Sequence, residues 1–249
     1  MAKDTHAPHE PTLAGVLSSA QEFLKGLRLP QGPFEPNGQW AQTYQVWLIG
    51  KEECVGTIRV ARLPQDGQAM ALDVDWCVSQ SAGTTQRVDA KITCRRDRLA
   101  TPTAWTMHNR LLAADGTLIE HASSEQKATC RDGVVTIEGR KPRVGQRPMG
   151  PWTSSFCLFE LVQRLGNRPI EPLPFTLMDF LTVRKEGHTL AFHDRQEIVL
   201  GARKATLAGY RHLGSGILPE VYWLDEQQRL RIVMAGARAY IAGDQEASS

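Results

Sequence analysis

The side chains best suited to moving a proton are three histidines in the last third of the chain, His188, His193 and His212, with Asp194 beside one of them. A histidine paired with a carboxylate is a common general base. The spacing argues against one here. His188 and His193 are five positions apart and His193 and Asp194 are adjacent, and in a regular strand odd separations point to opposite faces. These residues are expected as surface polar groups of a two-sided sheet. Gly214-Ser215-Gly216 lacks the G-x-S-x-G spacing of a nucleophile elbow and reads as a flexible turn. H-E-x-x-H, the phosphate-binding P-loop and G-x-G-x-x-G do not occur. Glu220, Asp225 and Glu226 surround one hairpin. A glycosidase needs two carboxyls opposed across a cleft, and these read as solvated turn acids. No catalytic residue and no cofactor are assigned.

The thiols are equally quiet. Cys54, Cys77, Cys94, Cys130 and Cys157 are widely spaced, without C-x-x-C or Cys/His ligand spacing, so no metal site is expected. They read as buried or half-buried free thiols on strands. In an exported protein a bond between neighbouring strands, such as Cys77 to Cys94, is the alternative. Lys141, Arg143 and Arg147 form a basic loop that either takes an anionic headgroup or is simply solvated. Net charge is only +2, with Lys and Arg scattered among acids, which gives no footprint for nucleic acid.

Aromatic residues carry more information. Tyr44, Trp47, Trp76, Trp105, Phe175, Phe192 and Trp223 fall on inferred strands, and Phe156 and Phe159 on an inferred helix. Sharing one concave side, they would line a pocket for an acyl chain or another apolar ligand. Packed against the helix, they would simply be core.

The elements that must position them follow from periodicity. Residues 12–27 repeat Leu13, Val16, Leu17, Ala20, Phe23, Leu24 and Leu27 at helical spacing, with Thr12 as N-cap. Prolines 30, 33 and 36 then form a linker. From residue 39 the period is two. Strands are expected at 40–49, 52–62, 71–78, 86–95, 103–112, 117–122, 127–130 and 134–138. Asp115-Gly116 and Asp132-Gly133 are hairpin turns. Residues 152–165 read as a helix, with Pro151 in its first turn and Gly166-Asn167 at its end. Strands resume at 175–182, 188–200 and 204–213, and a last hairpin covers 219–224 and 229–234 with a short strand at 237–241. In that hairpin Leu230, Ile232 and Met234 alternate with Arg229, Arg231 and Val233, which predicts one dry face. Short strands joined by tight turns imply an antiparallel meander.

The fold class is therefore mainly β (α+β): a long curled antiparallel sheet, or unclosed barrel, wrapped around the central helix, with an N-terminal helix packed on it or plugging it. Residues 1–36 form a polar N-terminal segment, disordered over 1–11, with the short helix and linker. Residues 37–243 form one β domain, and 244–249 a disordered tail.

Tyr44-Gln45-Val46-Trp47-Leu48-Ile49-Gly50 with Val55-Gly56-Thr57, the stretch from Pro102 to Trp105, the mid-chain helix, and Val221-Tyr222-Trp223-Leu224-Asp225 with Arg229-Leu230 resemble the LolA/LolB-like lipoprotein-carrier fold. They look more closely like exported bacterial domains of unknown function that share that architecture. The resemblance spans roughly residues 39–242 and brings no catalytic residues. It implies a non-enzymatic protein that holds a hydrophobic or lipid-like ligand on the concave face. The alternatives are a protein-interaction or scaffold module with a filled core, and a hydrolase built from His193, Asp194 or Glu220. No transmembrane segment is expected, because no apolar run approaches about 18 residues. The N-terminal residues show no apolar secretory core, so the protein reads as cytoplasmic as given, and as periplasmic if the resemblance holds and a signal has been removed.

Overall fold

The computed structural model describes residues 12–27, 32–65, 67, 69–80, 83–138, 149–200 and 203–243. The segment 1–11, the tail 244–249 and the loop residues Lys141, Arg143 and Arg147 lie outside them.

Helix α1 (Leu13–Ser19) opens on Thr12, whose side chain accepts from the Gly15 amide, as the capping pattern predicts. The expected single helix breaks at Ala20 into α1 and α2 (Gln21–Gly26). Seven strands then follow: β1 (Trp40–Leu48), β2 (Glu53–Pro64), β3 (Ala69–Ser79), β4 (Thr85–Arg95), β5 (Pro102–Leu112), β6 (Ser124–Arg131) and β7 (Val134–Ile137). In β3, Met70, Leu72, Val74, Trp76 and Val78 are buried, while Asp73, Asp75 and Cys77 between them are not. This is the period-two signature of a strand with one dry face. Asp132 and Gly133 both have positive φ, 50° and 75°, which gives the tight turn that joins β6 to β7. The strand expected at 117–122 is absent. Leu118 makes one isolated bridge to Leu112, and Glu120–Ala122 is a 3-10 turn.

The mid-chain element differs at its start. Residues Trp152–Ser154 form a strand, β8, and the helix α3 (Ser155–Leu161) begins after it, capped by the Ser154 hydroxyl accepting from the Cys157 amide. A 3-10 turn, Val162–Arg164, continues α3. The remaining strands are β9 (Leu173–Asp179), β10 (Val183–Leu200), β11 (Arg203–Leu213), β12 (Glu220–Leu224), β13 (Leu230–Ala235) and β14 (Arg238–Ala242). β8 runs parallel to β9, and every other pairing of strands among the described residues is antiparallel. The intervening helix makes this possible, because parallel neighbours need a crossover.

All fourteen strands make one sheet, in the order β7-β6-β5-β4-β3-β2-β1-β14-β13-β12-β11-β10-β9-β8. The chain starts at the middle of the sheet and walks out to the β7 edge. The next strand, β8, is the opposite edge; α3 leads from it to β9, and the chain walks back until β14 pairs with β1 at Tyr44↔Ala242. β7 and β8 do not pair, so the curled sheet stays open.

Its inner face closes on α3. Phe156, Cys157, Leu158, Phe159, Glu160 and Leu161 are all buried, and a helix that is apolar nearly all round belongs inside. One large cluster joins them to Tyr44, Ile58, Leu72, Trp76, Ile92, Trp105, Leu177, Leu190 and Tyr222. The outer face is not wet everywhere. α1 and α2 pack there, and Leu13, Val16, Ala20 and Leu24 meet Val221, Trp223, Ile232, Met234 and Ile241 in a second cluster. β13 is therefore dry on both faces, which corrects the expectation of one dry face. Arg231 remains there only because Asp225 Oδ2 accepts from its Nε at 2.6 Å.

Candidate functional site

The aromatic residues singled out above separate onto the two faces. Trp76, Phe156 and Phe159 line one inner cavity of about 80 Å³, together with Ile58, Tyr222, Val233 and Tyr240. Tyr44 stands behind it, edge-on to Phe159 at 5.3 Å. Trp105 is also inner but lies against Trp152 at 6.2 Å, away from the cavity. Phe175 packs on His212 at 5.2 Å and Phe192 on Tyr210 at 5.8 Å. Trp47 and Trp223 are on the other face. Trp47 meets Phe23 of α2, and Trp223 lies beneath the helices with its Nε1 donating to Met234 Sδ. Strand parity fixes this: Tyr44 and Tyr222 face in, so Trp47 and Trp223, an odd number of positions away, face out.

The cavity sits at one mouth of the curled sheet, behind the turn that joins β9 to β10. That turn is unusual. Phe180 and Leu181, its two central residues, have φ of 47° and 56°. Asn-Gly is the common choice for such a turn, because a left-handed residue with a large side chain costs about 1–2 kcal/mol. Packing holds Phe180 there. It meets Trp76 at 4.7 Å and Phe156 at 5.4 Å, and its amide donates to Ser155 Oγ at 2.9 Å. Leu181 is 1% exposed, and its carbonyl accepts from Gln126. Across Phe180 lies a second cleft of about 280 Å³, lined by Gln86, Val88, Met107, Asn109, Thr182 and Val183. Asp179 and Phe180 belong to both walls. Phe180 thus stands between two clefts, one of them walled by aromatic rings.

Polar groups converge on the same mouth. Glu220 lines the cavity, and its Oε2 accepts from Tyr222 Oη at 2.8 Å and from His212 Nδ1 at 2.9 Å. His212 Nε2 is 2.8 Å from His188 Nδ1. The two imidazoles share one hydrogen between these nitrogens, and His188 also has a hydrogen bond to the Ser215 backbone. Lys185 Nζ reaches Asp179 Oδ2 at 2.7 Å, beside the turn. Trp76 Nε1 is a buried polar atom without a described partner, and its residue is in the cavity wall. Burial holds the phenols of Tyr222 and Tyr240 above their ordinary values, so both hydroxyls remain proton donors.

His188 and His212 are therefore not surface groups: they are 1% and 0% exposed. Glu220 is not a solvated turn acid, and neither is Asp225, which caps its own turn through the Gln227 and Arg229 amides. His193 does face outward, with its ring 5.9 Å from Trp223. His193 and Glu220 thus stand on opposite faces of the sheet and form no joint cleft. Among the described residues no three His, Cys, Asp or Glu side chains gather as metal ligands, and no helix is long and apolar enough to cross a membrane.

The histidine chain has a consequence for stability. Burial first, then the neighbouring His212 and Lys185, pushes the His188 pKa below its ordinary 6.5. A hydrogen bond to the Ser215 backbone, and after it Glu220, oppose the shift without reversing it. A histidine depressed in the fold takes up a proton on unfolding, so its contribution is complete above about pH 6.5 and declines as pH falls below that. The urea midpoint is expected to drop between pH 7.5 and 5.5, and His188→Gln to flatten that slope.

No protein-family model and no curated protein matches the chain. Among solved structures it is similar to the β-barrel-like protein of domain of unknown function DUF1849 from Brucella abortus, with a TM-score of 0.52 and 11% identity over 83% of this chain and 95% of that one. The shared property is the fold. Both chains form a β-barrel-like sheet, here left open between β7 and β8.

Proposed function

We propose that the chain is a non-enzymatic binding protein that holds a hydrophobic or lipid-like small molecule at the mouth of the curled sheet, behind Phe180. The observation that carries this reading is the position of Phe180. A strained two-residue turn holds its ring between two clefts, one of them walled by aromatic rings. The aromatic cleft alone takes no more than a few solvent molecules. Joined to the second cleft by a swing of Phe180, it reaches the ~300 Å³ at which ligand pockets begin. The wall suits an apolar body, from Ile58, Trp76, Phe156, Phe159 and Val233. Glu220, Tyr222 and Tyr240 at one end, and the unpaired Trp76 N–H, suit a small polar head. The resemblance to LolA/LolB-like lipoprotein carriers supports the same class of ligand.

A fluorescence titration with the apolar probe 1-aminoanthracene tests the reading. Saturable binding to one site per chain is expected. A linear, unsaturable signal on folded protein overturns it.

A protein-interaction module is the second reading, favoured by how many inner side chains pack against one another in a single cluster. Val183, Leu213 and Leu218, at 52%, 42% and 61% exposed, sit at the ends of strands β10 to β12 near the same mouth. A docked partner would cover them.

A further inference from the structure

Two thiols deep in the core face each other. Cys94, near the end of β4, is 1% exposed, and Cys157, in the first turn of α3, is 0% exposed. Their sulfurs are 3.6 Å apart. They are 63 positions apart in sequence, and they bring the outbound half of the sheet against the helix that begins the return half. The Ser154 hydroxyl donates to the Cys157 sulfur at 3.0 Å and fixes its rotamer toward this contact. Among the described residues the other cysteines have no thiol partner: Cys54 is exposed, Cys77 faces outward opposite Arg87 rather than toward Cys94, and Cys130 is buried on β6 beside Trp152. The cross-strand pairing of Cys77 with Cys94 considered from sequence is therefore excluded by parity, since Cys94 faces inward with Ile92 and Ala90.

We propose that Cys94 and Cys157 are a disulfide site that ties β4 to α3 when the chain folds in the presence of a disulfide donor, either a small-molecule disulfide or a protein disulfide. A bonded pair needs its sulfurs at about 2.05 Å, so the two must close by about 1.5 Å, within reach of side-chain torsions. The chemistry is two exchanges. One cysteine loses its proton to water, and its thiolate attacks a sulfur of the donor, giving a mixed disulfide and releasing one donor thiolate. The second cysteine thiolate attacks the protein sulfur of that mixed disulfide and releases the other donor thiolate. Two electrons pass from the protein thiols to the donor. Burial raises the Cys94 thiol well above its ordinary pKa, so the thiolate is scarce once the sheet has closed. The bond therefore forms during folding, and afterwards the core shields it from reductants.

The test is refolding of the full chain in a buffer of reduced and oxidised glutathione, followed by intact mass and a non-reducing peptide map. The expected result is a mass about 2 Da lower than the reduced chain, with the Cys94 peptide joined to the Cys157 peptide. The oxidised protein should melt about 10 °C higher than the reduced one, as a link closing a long loop does. A variant carrying Cys54→Ser, Cys77→Ser and Cys130→Ser should retain both results. Refolded protein with both thiols free, or a linked peptide that joins other cysteines, overturns the proposal. The peptide map of the natural sequence decides the matter even if a cysteine variant fails to fold.

Discussion

Glu160→Ala is expected to cost about 3–5 kcal/mol of stability, the range for removing one partner of a buried ion pair. Glu160 is fully buried in the last turn of α3. Its Oε1 accepts from Arg62 Nε at 3.1 Å and from Arg164 Nε at 2.7 Å. Arg62 in turn donates to the carbonyls of Asn37 and Gly38, so a single carboxylate ties the central helix to β2 and, through it, to the segment leading into β1. Removing it leaves the 1%-exposed Arg62 guanidinium in a dry site. The triple replacement Arg62→Met, Glu160→Leu and Arg164→Met should recover most of the loss, because it removes all three charges and refills the space. Urea denaturation of the three proteins measures this. A loss below about 1 kcal/mol in Glu160→Ala would mean that water reaches the pair.

Phe180→Ala is expected to tighten binding of an apolar probe about tenfold. A ligand that must wait for a minor open state binds more weakly by the fraction of time the door is open, and removing the door removes that factor. The same change should cost about 2 kcal/mol of stability, because a half-buried ring leaves its contacts with Trp76 and Phe156. Phe180→Gly separates the two effects. It opens the door equally, but should be more stable than Phe180→Ala by about 1 kcal/mol, because glycine adopts the left-handed backbone at this position without strain. Probe titration and urea melts of the two variants measure both. Equal stability of the two would mean that the turn relaxes in solution, and unchanged affinity would mean that Phe180 is not the barrier.

Much of the sheet was legible in the residues, because alternation is a local property. Leu72, Val74, Trp76 and Val78, or Asp132-Gly133, need no distant information to be read. The helix at Phe156–Leu161 was equally plain, because residues apolar on every side have only the interior to go to. Its first turn was not, since Trp152–Ser154 become a strand only by pairing with Thr176–Met178, which lie two elements later. The site was harder for a related reason. Alternation tells which residues share a face but not which face is inner, and here α1 and α2 make the outer face apolar too. Trp47 and Trp223 therefore looked like Tyr44 and Trp76. His188 and His212 meet only through the register of β10 on β11, which shifts at Phe192/Asp194, while β10 shifts on β9 at Lys185/His188, and no spacing rule anticipates either. Phe180 left no trace as a turn residue, because Phe-Leu is not turn chemistry. Its conformation is imposed by what it packs on.

The central claim is that an apolar molecule belongs behind Phe180, and mass spectrometry of an organic extract of natively purified protein tests it most directly. About one equivalent of an apolar small molecule per chain is expected, either carried from the cell or regained when stripped protein is incubated with a lipid extract. Folded protein that yields none before or after that incubation would contradict it.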